Sequence, residues 1–187
     1  MNDVVIREAL VSLLTKTKED PTTIVVSEMG LSEGRSIIDV ATINGVMSGY
    51  EIKSDVDSLY RLDRQIATYQ QFFQKLTIVT TKKHLAKIRM NYPAWIGLML
   101  AYEVDGIVMI RQLRKPKLNR RTNNRDITTL LWRDEARMAL KGRGVTGISS
   151  ATRSILWDKM SQIHSQEELI AVVKTSMRSR RAWQVVG

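Results

Sequence analysis

The sequence predicts an α/β fold with a mixed sheet flanked by helices and a basic, α-helical C-terminal part. A hairpin pattern runs from Ile37 to Lys53 (IIDVATINGVMSGYEIK), and an amphipathic helix pattern follows it. The apolar run from Leu76 to Thr80 (LTIVT) is then typical of a strand that is covered on both faces. Cysteine is absent from the 187 residues, which excludes a disulfide framework, a thiolate metal site and a cysteine nucleophile.

Charge is distributed unevenly along the chain. Residues 1–110 have a net charge of −1, and residues 111–187 have a net charge of +11, which accounts for the +10 of the whole chain. Segregated positive charge is typical of a surface that binds a polyanion, and nucleic acid fits it better than a membrane does. The N-terminal segment does not have a signal-peptide pattern, and the longest apolar run is too short to span a bilayer. We therefore expect a cytoplasmic protein without a membrane partner.

Two elements are predicted before the hairpin. Residues 3–16 place apolar side chains at helical spacing, and Pro21 follows the end of that helix. Residues 22–32 are rich in β-branched side chains and predict a strand. Glu28, near its end, is either a third acid directed at a metal or a solvated charge, and spacing alone leaves both interpretations open.

The turn at Asn44-Gly45 decides which side chains of the hairpin share a face. A two-residue turn would pair Ile43 with Val46 and place Asp39 and Glu51 on opposite faces of the sheet. A three-residue turn with Gly45 left-handed would place the two acids on one face as diagonal neighbours, about 5 to 7 Å apart. A shared site therefore requires a bulge or the longer turn.

The remaining elements follow from periodicity. A helix of about four turns is expected over residues 59–73, and the strand after it should lie parallel to the Glu51 strand. A helix over 82–90 and a hairpin about Asp105-Gly106 complete the first region. Helices are expected over 126–141, 150–162 and 166–178, the last with a capping box of Ser165 and Glu168. The predicted regions are a core over 1–112, a basic connector over 113–125 and a helical region over 126–187; both histidines are expected at the surface.

The hairpin contains the residue types that phosphodiester hydrolysis needs. Asp39 lies on the first predicted strand, and alternation puts Glu51 and Lys53 on one face of the second. Two carboxylates suit Mg²⁺ or Mn²⁺, with the carbonyl of Ile52 as a further ligand, and Lys53 can polarise a water or offset phosphate charge. Taken alone, the triplet favours an ordinary ion pair at a sheet edge.

The surroundings change that interpretation. An acid, an aspartate in the first strand, the motif GYEIKSD, an arginine-leucine pair and a QxxxY helix occur in this order as Glu28, Asp39, residues 49–55, Arg61-Leu62 and Gln65 to Tyr69. This pattern resembles the PD-(D/E)XK nuclease superfamily, and most closely the bacterial and phage proteins known as the sce7726 family. It covers residues 20–90 in detail; Ile38 stands where the superfamily's proline is usual.

The resemblance implies a restriction-endonuclease-like fold and a metal-dependent DNA nuclease. Asp39 and Glu51 would be metal ligands, Lys53 the catalytic lysine and Glu28 an accessory acid. A supporting or DNA-contacting role is implied for Gln65, Tyr69, Ser54 and Arg61. For Gln65 and Tyr69, simple packing of a helix flank on the sheet is an equally good interpretation.

The basic residues of the C-terminal part are expected to contact the DNA backbone without reading its sequence. They are Arg114, Lys115, Lys117, Arg120, Arg121, Arg125, Arg178, Arg180 and Arg181. Many proteins of the superfamily act as dimers to cut both strands, so the resemblance is compatible with a homodimer. The alternative function is a DNA-binding or partner-binding protein that keeps the nuclease fold without cutting, for example a phage factor that acts on a host nuclease or repair complex.

Overall fold

The computed structural model describes the backbone of residues 1–184 and the side chains of residues 1–180. Its strands are β1 (Ile24–Leu31), β2 (Ser36–Ile43), β3 (Met47–Lys53), β4 (Lys75–Thr80), β5 (Gly97–Val104) and β6 (Ile107–Arg114). Its helices are α1 (Asp3–Lys16), α2 (Leu62–Tyr69), α3 (Lys82–Asn91), α4 (Asn124–Thr128), α5 (Arg133–Gly142), α6 (Arg153–Ile163) and α7 (Gln166–Gln184). A short 3₁₀ turn, Ser32–Gly34, joins β1 to β2.

The strands form one mixed sheet in the order β1-β2-β3-β4-β5-β6. Strands β1, β2 and β3 are antiparallel neighbours, as are β5 and β6, whereas β3, β4 and β5 run parallel. The predicted α/β class is confirmed, and so is the parallel arrangement of β3 and β4 across α2. No helix in the described part of the chain is long and apolar enough to cross a bilayer.

Helices cover both faces of the sheet. Helix α1 packs Ile6 and Leu10 against Val40, Ile52 and neighbouring strand residues on one face. On the other face, a larger cluster of buried side chains continues from the sheet and α2 into the C-terminal helices. The predicted regions 1–112 and 126–187 therefore share one hydrophobic core.

The connector is anchored to the loop that follows α2. The buried Asn119 side chain donates hydrogen bonds to the carbonyl oxygens of Gln70 and Phe73, at 2.7 and 2.9 Å. The backbone N–H of Asn119 donates to the carbonyl of Gln74 at 2.7 Å. These bonds hold a polar segment without an apolar pattern in a defined path across the core.

Several predicted elements have different limits in the structure. Helix α2 has eight residues instead of the four turns expected over 59–73, because the chain turns after Tyr69 and buries Phe72 and Phe73. The helix predicted over 126–141 is divided into α4 and α5, because Leu130 and Leu131 turn into the core between them.

The expectation of surface histidines was wrong. His84 and His164 are both buried, and each has a ring nitrogen within hydrogen-bond distance of a backbone carbonyl, at 3.0 and 3.2 Å. The predicted capping box is confirmed, since Ser165 and Glu168 exchange side-chain to backbone hydrogen bonds of 2.8 and 3.2 Å.

Candidate active site

The β2–β3 hairpin has the longer turn that a shared acid site requires. Ile43 pairs with Met47, so the loop contains three residues, and its central Gly45 has a φ of 102°. The ladder reaches Val40 and Tyr50. Continued by one position, this register puts Asp39 directly opposite Glu51, and not diagonal to it as expected.

The β2–β3 ladder opens at Asp39. In place of a regular backbone pair, the Asp39 carboxylate accepts a hydrogen bond of 2.6 Å from the backbone N–H of Ile52. Burial and the nearby charge of Glu51 raise the pKa of Asp39 to about 7. The structure therefore holds the two carboxylates close enough for the charge of Glu51 to oppose the ionisation of Asp39.

Glu51 is at the centre of a buried polar cluster. Its side chain and that of Lys53 are 3% and 6% exposed, and the Lys53 ammonium lies 2.7 Å from Glu51 Oε1. The amide nitrogen of Gln65 donates to the same oxygen at 2.6 Å, and Lys53 also donates to the amide oxygen of Gln65 at 3.0 Å. Ionic and polar groups this deeply buried add little net stability, and such clusters concentrate at functional sites.

Tyr69 contacts the second oxygen of the Glu51 carboxylate. Its hydroxyl lies 2.8 Å from Glu51 Oε2 and 2.6 Å from the carbonyl oxygen of Ile37. One hydroxyl proton can be donated to only one of these oxygens at a time. Burial and the charge of Glu51 raise the pKa of Tyr69, so its hydroxyl stays protonated.

Asp39 and Glu51 suit a hard divalent cation, and they would be its two side-chain ligands. In the described part of the chain, no group of three or more His, Cys, Asp or Glu side chains could hold a metal ion. Mg²⁺ needs fewer protein ligands than that, because it commonly uses one or two carboxylates and keeps several waters. A cation beside both carboxylates would also offset the charge of Glu51 that opposes the ionisation of Asp39, so the donor set fits Mg²⁺ or Mn²⁺.

Glu28 does not join these acids. It faces Asp39 across the β1–β2 pair, but it breaks the ladder there with a φ of 52°. Its side chain is 63% exposed, and its carboxylate lies 3.0 Å from the guanidinium of Arg7. Ser54 is also turned away from Glu51, because its backbone N–H and hydroxyl both donate to Asp57.

A cleft of about 660 Å³ adjoins the cluster, between the β1–β2 connection and α2. Arg35, Arg61 and Arg64 line it, together with Gln65 and Ile37. Arg61 was predicted from the sequence, whereas Arg35 and Arg64 were not, because isolated arginines in a nearly neutral half of the chain have no distinctive spacing.

The basic residues of the C-terminal part divide into two groups. Arg125 and Arg180 form ion pairs with Asp158 and Glu135, and each stacks on a tryptophan ring. Arg114 and Arg178 donate to the backbone carbonyls of Ile96 and Thr22, both at 2.8 Å. The exposed group is Lys115, Lys117, Arg120 and Arg121; the side chain of Arg181 lies outside the described residues.

The fold and the site define an α/β protein whose mixed sheet holds a buried carboxylate–ammonium cluster beside a basic cleft. The chain belongs to the family described as bacteriophage P4 protein cII, whose sequence model matches residues 2–185. Protein cII of Enterobacteria phage P4 is 26% identical over 175 residues, which cover 94% of this chain and 66% of that relative's length. A solved structure, the SPO1766 protein of unknown function from Silicibacter pomeroyi, aligns with a TM-score of 0.45 and 14% identity over 87% of this chain and 93% of its own.

Proposed function

We propose that the protein is a metal-dependent DNA nuclease that hydrolyses phosphodiester bonds at Asp39, Glu51 and Lys53. One observation carries this proposal: Asp39, Glu51, Lys53, Gln65 and Tyr69, from three different elements, converge where the β2–β3 ladder opens. Packing of a helix flank would not require Gln65 and Tyr69 both to contact the same buried carboxylate.

The proposal includes a restriction-endonuclease-like core formed by β1 to β4 and α2. The order of the hairpin, the acid-x-lysine strand, the Gln-Tyr helix and the buried parallel strand supports it. The sequence resemblance to PD-(D/E)XK nucleases, closest to the sce7726 proteins, covers this same segment.

Asp39 and Glu51 would hold Mg²⁺ or Mn²⁺, with the carbonyl of Ile52 as a further ligand. The cation would supply charge compensation for the pentacovalent phosphorus and would lower the pKa of an attacking water. Lys53 uses two of its three protons on Glu51 and Gln65, which leaves one to orient a water or to bind a phosphate oxygen. In hydrolysis the attacking water loses a proton and forms a bond to phosphorus, while the bond from phosphorus to a deoxyribose oxygen breaks and that oxygen takes up a proton.

Gln65 and Tyr69 are positioning residues in this mechanism. Gln65 holds the Lys53 ammonium and the Glu51 carboxylate in fixed relation through its amide oxygen and nitrogen. When Tyr69 donates its proton to the carbonyl of Ile37, it leaves Oε2 of Glu51 free to accept another partner. Two alternative acceptors for one proton thus allow Glu51 to change partners without moving the backbone.

The exposed cations of the connector are proposed to contact DNA phosphates. Lys115, Lys117, Arg120 and Arg121 fit this role because their side chains extend into solvent. Arg125 and Arg180 fit it less well, since their guanidinium groups are occupied by carboxylates and tryptophan rings.

Nicking of supercoiled plasmid DNA in Mg²⁺ or Mn²⁺ tests the proposal. Wild-type protein should convert supercoiled DNA to the open-circular or linear form, and Asp39→Ala and Lys53→Ala should not. Lys87→Ala, which removes an exposed charge from α3, should cut like the wild type. Equal cutting by wild type and both site variants, or no cutting with either metal, contradicts the nuclease proposal.

A non-cleaving protein with the same fold is the second candidate. It is favoured by the saturation of Glu51, because both carboxylate oxygens already have partners in Lys53, Gln65 and Tyr69. DNA binding without cleavage in either metal would support a binding protein. Failure to bind DNA even at low salt would leave a protein partner, such as a host nuclease or repair complex.

A further inference from the structure

The arginine cleft beside the site differs in charge from the region around it. Residues 1–110 have a net charge of −1, yet three guanidinium groups converge on this cleft. No acidic side chain is among the described residues that line it. Asp63 lies between Arg61 and Arg64 in sequence, but it interacts with Tyr92 on the other flank of α2.

The three arginines are available to a ligand. Arg61 and Arg64 are exposed at the start of α2. Arg35 uses its Nε on the carbonyl oxygen of Ser32 at 2.9 Å, which orients the guanidinium while its terminal nitrogens remain to donate. Convergent guanidinium groups with spare donors suit phosphate oxygens, which they can bind in a bidentate manner.

The cleft also has features that suit a nucleotide chain better than an isolated anion. The Ile37 side chain, 53% exposed, forms an apolar part of its wall, which can contact a sugar or a base. Gln65 lines the cleft and donates to Glu51, while the carbonyl of Ile37 accepts from Tyr69. One layer of side chains therefore separates the cleft from the buried carboxylate.

We propose that the cleft between the β1–β2 connection and α2 binds the backbone phosphates of the DNA strand next to the bond that is cut, given the nuclease function proposed for the adjacent cluster. Arg35, Arg61 and Arg64 each contact a phosphate, and the connector cations contact more distant parts of the DNA. The path of the strand is thus set by residues in the nearly neutral half of the chain.

Salt-dependent binding of a fluorescein-labelled 30-base-pair DNA duplex, and of its single strand, tests this inference. Anisotropy is measured over a series of NaCl concentrations with a chelator present, so that cleavage cannot occur. The test variant is Arg35→Gln/Arg61→Gln/Arg64→Gln. The control is Lys82→Gln/Lys87→Gln/Arg89→Gln, which removes the same charge from exposed positions of α3 outside the cleft.

The test variant should bind more weakly, and its log–log salt slope should fall by about 0.7 to 0.9 for each arginine removed, or about two to three altogether. The control should lose less than about one in slope. An equal loss in both variants, or an unchanged slope in the test variant, overturns the inference. If the triple variant has a lower unfolding temperature than the wild type, the single Arg64→Gln on the exposed face of α2 replaces it, and an unchanged slope there has the same meaning.

Separate outcomes are expected if the two proposals do not stand together. A selective loss of binding in the test variant, with wild-type protein that never nicks plasmid, supports the cleft as a DNA site and removes the nuclease. Nicking by the wild-type protein, with unchanged DNA binding by the test variant, supports the nuclease and removes the cleft as a DNA site.

Discussion

Asp39→Asn should stabilise the folded protein, and the gain should grow as the pH rises. The pKa of Asp39 is raised from 3.8 to about 7 in the folded state, because the carboxyl is buried and lies near Glu51. The stability that the folded state gains from holding this carboxyl protonated is fully present below about pH 4 and is lost as the pH rises through 7. Asparagine cannot ionise, and its side-chain oxygen can still accept from the N–H of Ile52.

The size of the effect follows from the two pKa values. Ionising Asp39 costs the folded state about 4 kcal/mol above pH 8, and about 2 to 3 kcal/mol of this develops between pH 5 and pH 8. Relaxation of the partly open site will reduce both figures. Asp39→Asn should therefore gain about 2 kcal/mol over the wild type between these pH values while it loses DNA cleavage.

Urea unfolding of both proteins at pH 5, 6, 7 and 8 measures this difference. Asp105→Asn, in the exposed β5–β6 turn, controls for the loss of one carboxylate. Mg²⁺ added at pH 8 should stabilise the wild type and not Asp39→Asn, since a ligand stabilises only the state that binds it. A difference between wild type and Asp39→Asn that stays constant from pH 5 to pH 8 would refute the conclusion that the ionised Asp39 carboxylate destabilises the fold.

Two further predictions concern the charges of the site and the packing of the strand that carries Glu51. Lys53→Met should lower the free energy of unfolding by about 3 to 5 kcal/mol, because it leaves Glu51 buried without its cation, whereas Glu51→Leu/Lys53→Met should be close to neutral. Thermal and urea unfolding measure both variants. Equal destabilisation of the two would contradict a buried ion pair between Glu51 and Lys53. Gly49→Ala should cost about 1 to 3 kcal/mol, because its new Cβ would lie 2.8 Å from Ile38 and 2.9 Å from Phe73. Gly30→Ala, where nothing lies within 4 Å, should change stability by less than about 1 kcal/mol. Similar losses for both glycines would show that β2, β3 and the loop after α2 do not pack closely.

Local patterns in the sequence predicted the two hairpins and the parallel β3–β4 pair, but not that β1 pairs with β2 or that β4 pairs with β5. The helix over 3–16 was correct at both ends because the apolar stripe begins and ends there; its N-cap in the structure is Asn2, which the pattern did not identify. The turn at Asn44-Gly45 was predicted only as a choice between two geometries. The structure has the longer turn, but its register places Asp39 opposite Glu51.

Contacts between distant parts of the chain could not be predicted from residue types. Arg125 and Arg180 each belong to a basic stretch of the sequence, yet in the fold each forms an ion pair with an acid more than thirty residues away along the chain. Glu28 has the expected position beside Asp39, but a left-handed backbone and the charge of Arg7 turn it outward. In both cases a partner on another element decides the direction of the side chain.

We propose that Asp39 and Glu51, which face each other across β2 and β3, share one divalent cation. Crystals of the wild-type protein soaked in MnCl₂ would test it by anomalous scattering. One peak is expected within coordination distance of both carboxylates. A peak elsewhere, or Glu51 still held by Lys53, Gln65 and Tyr69 with no peak beside it, would contradict the claim.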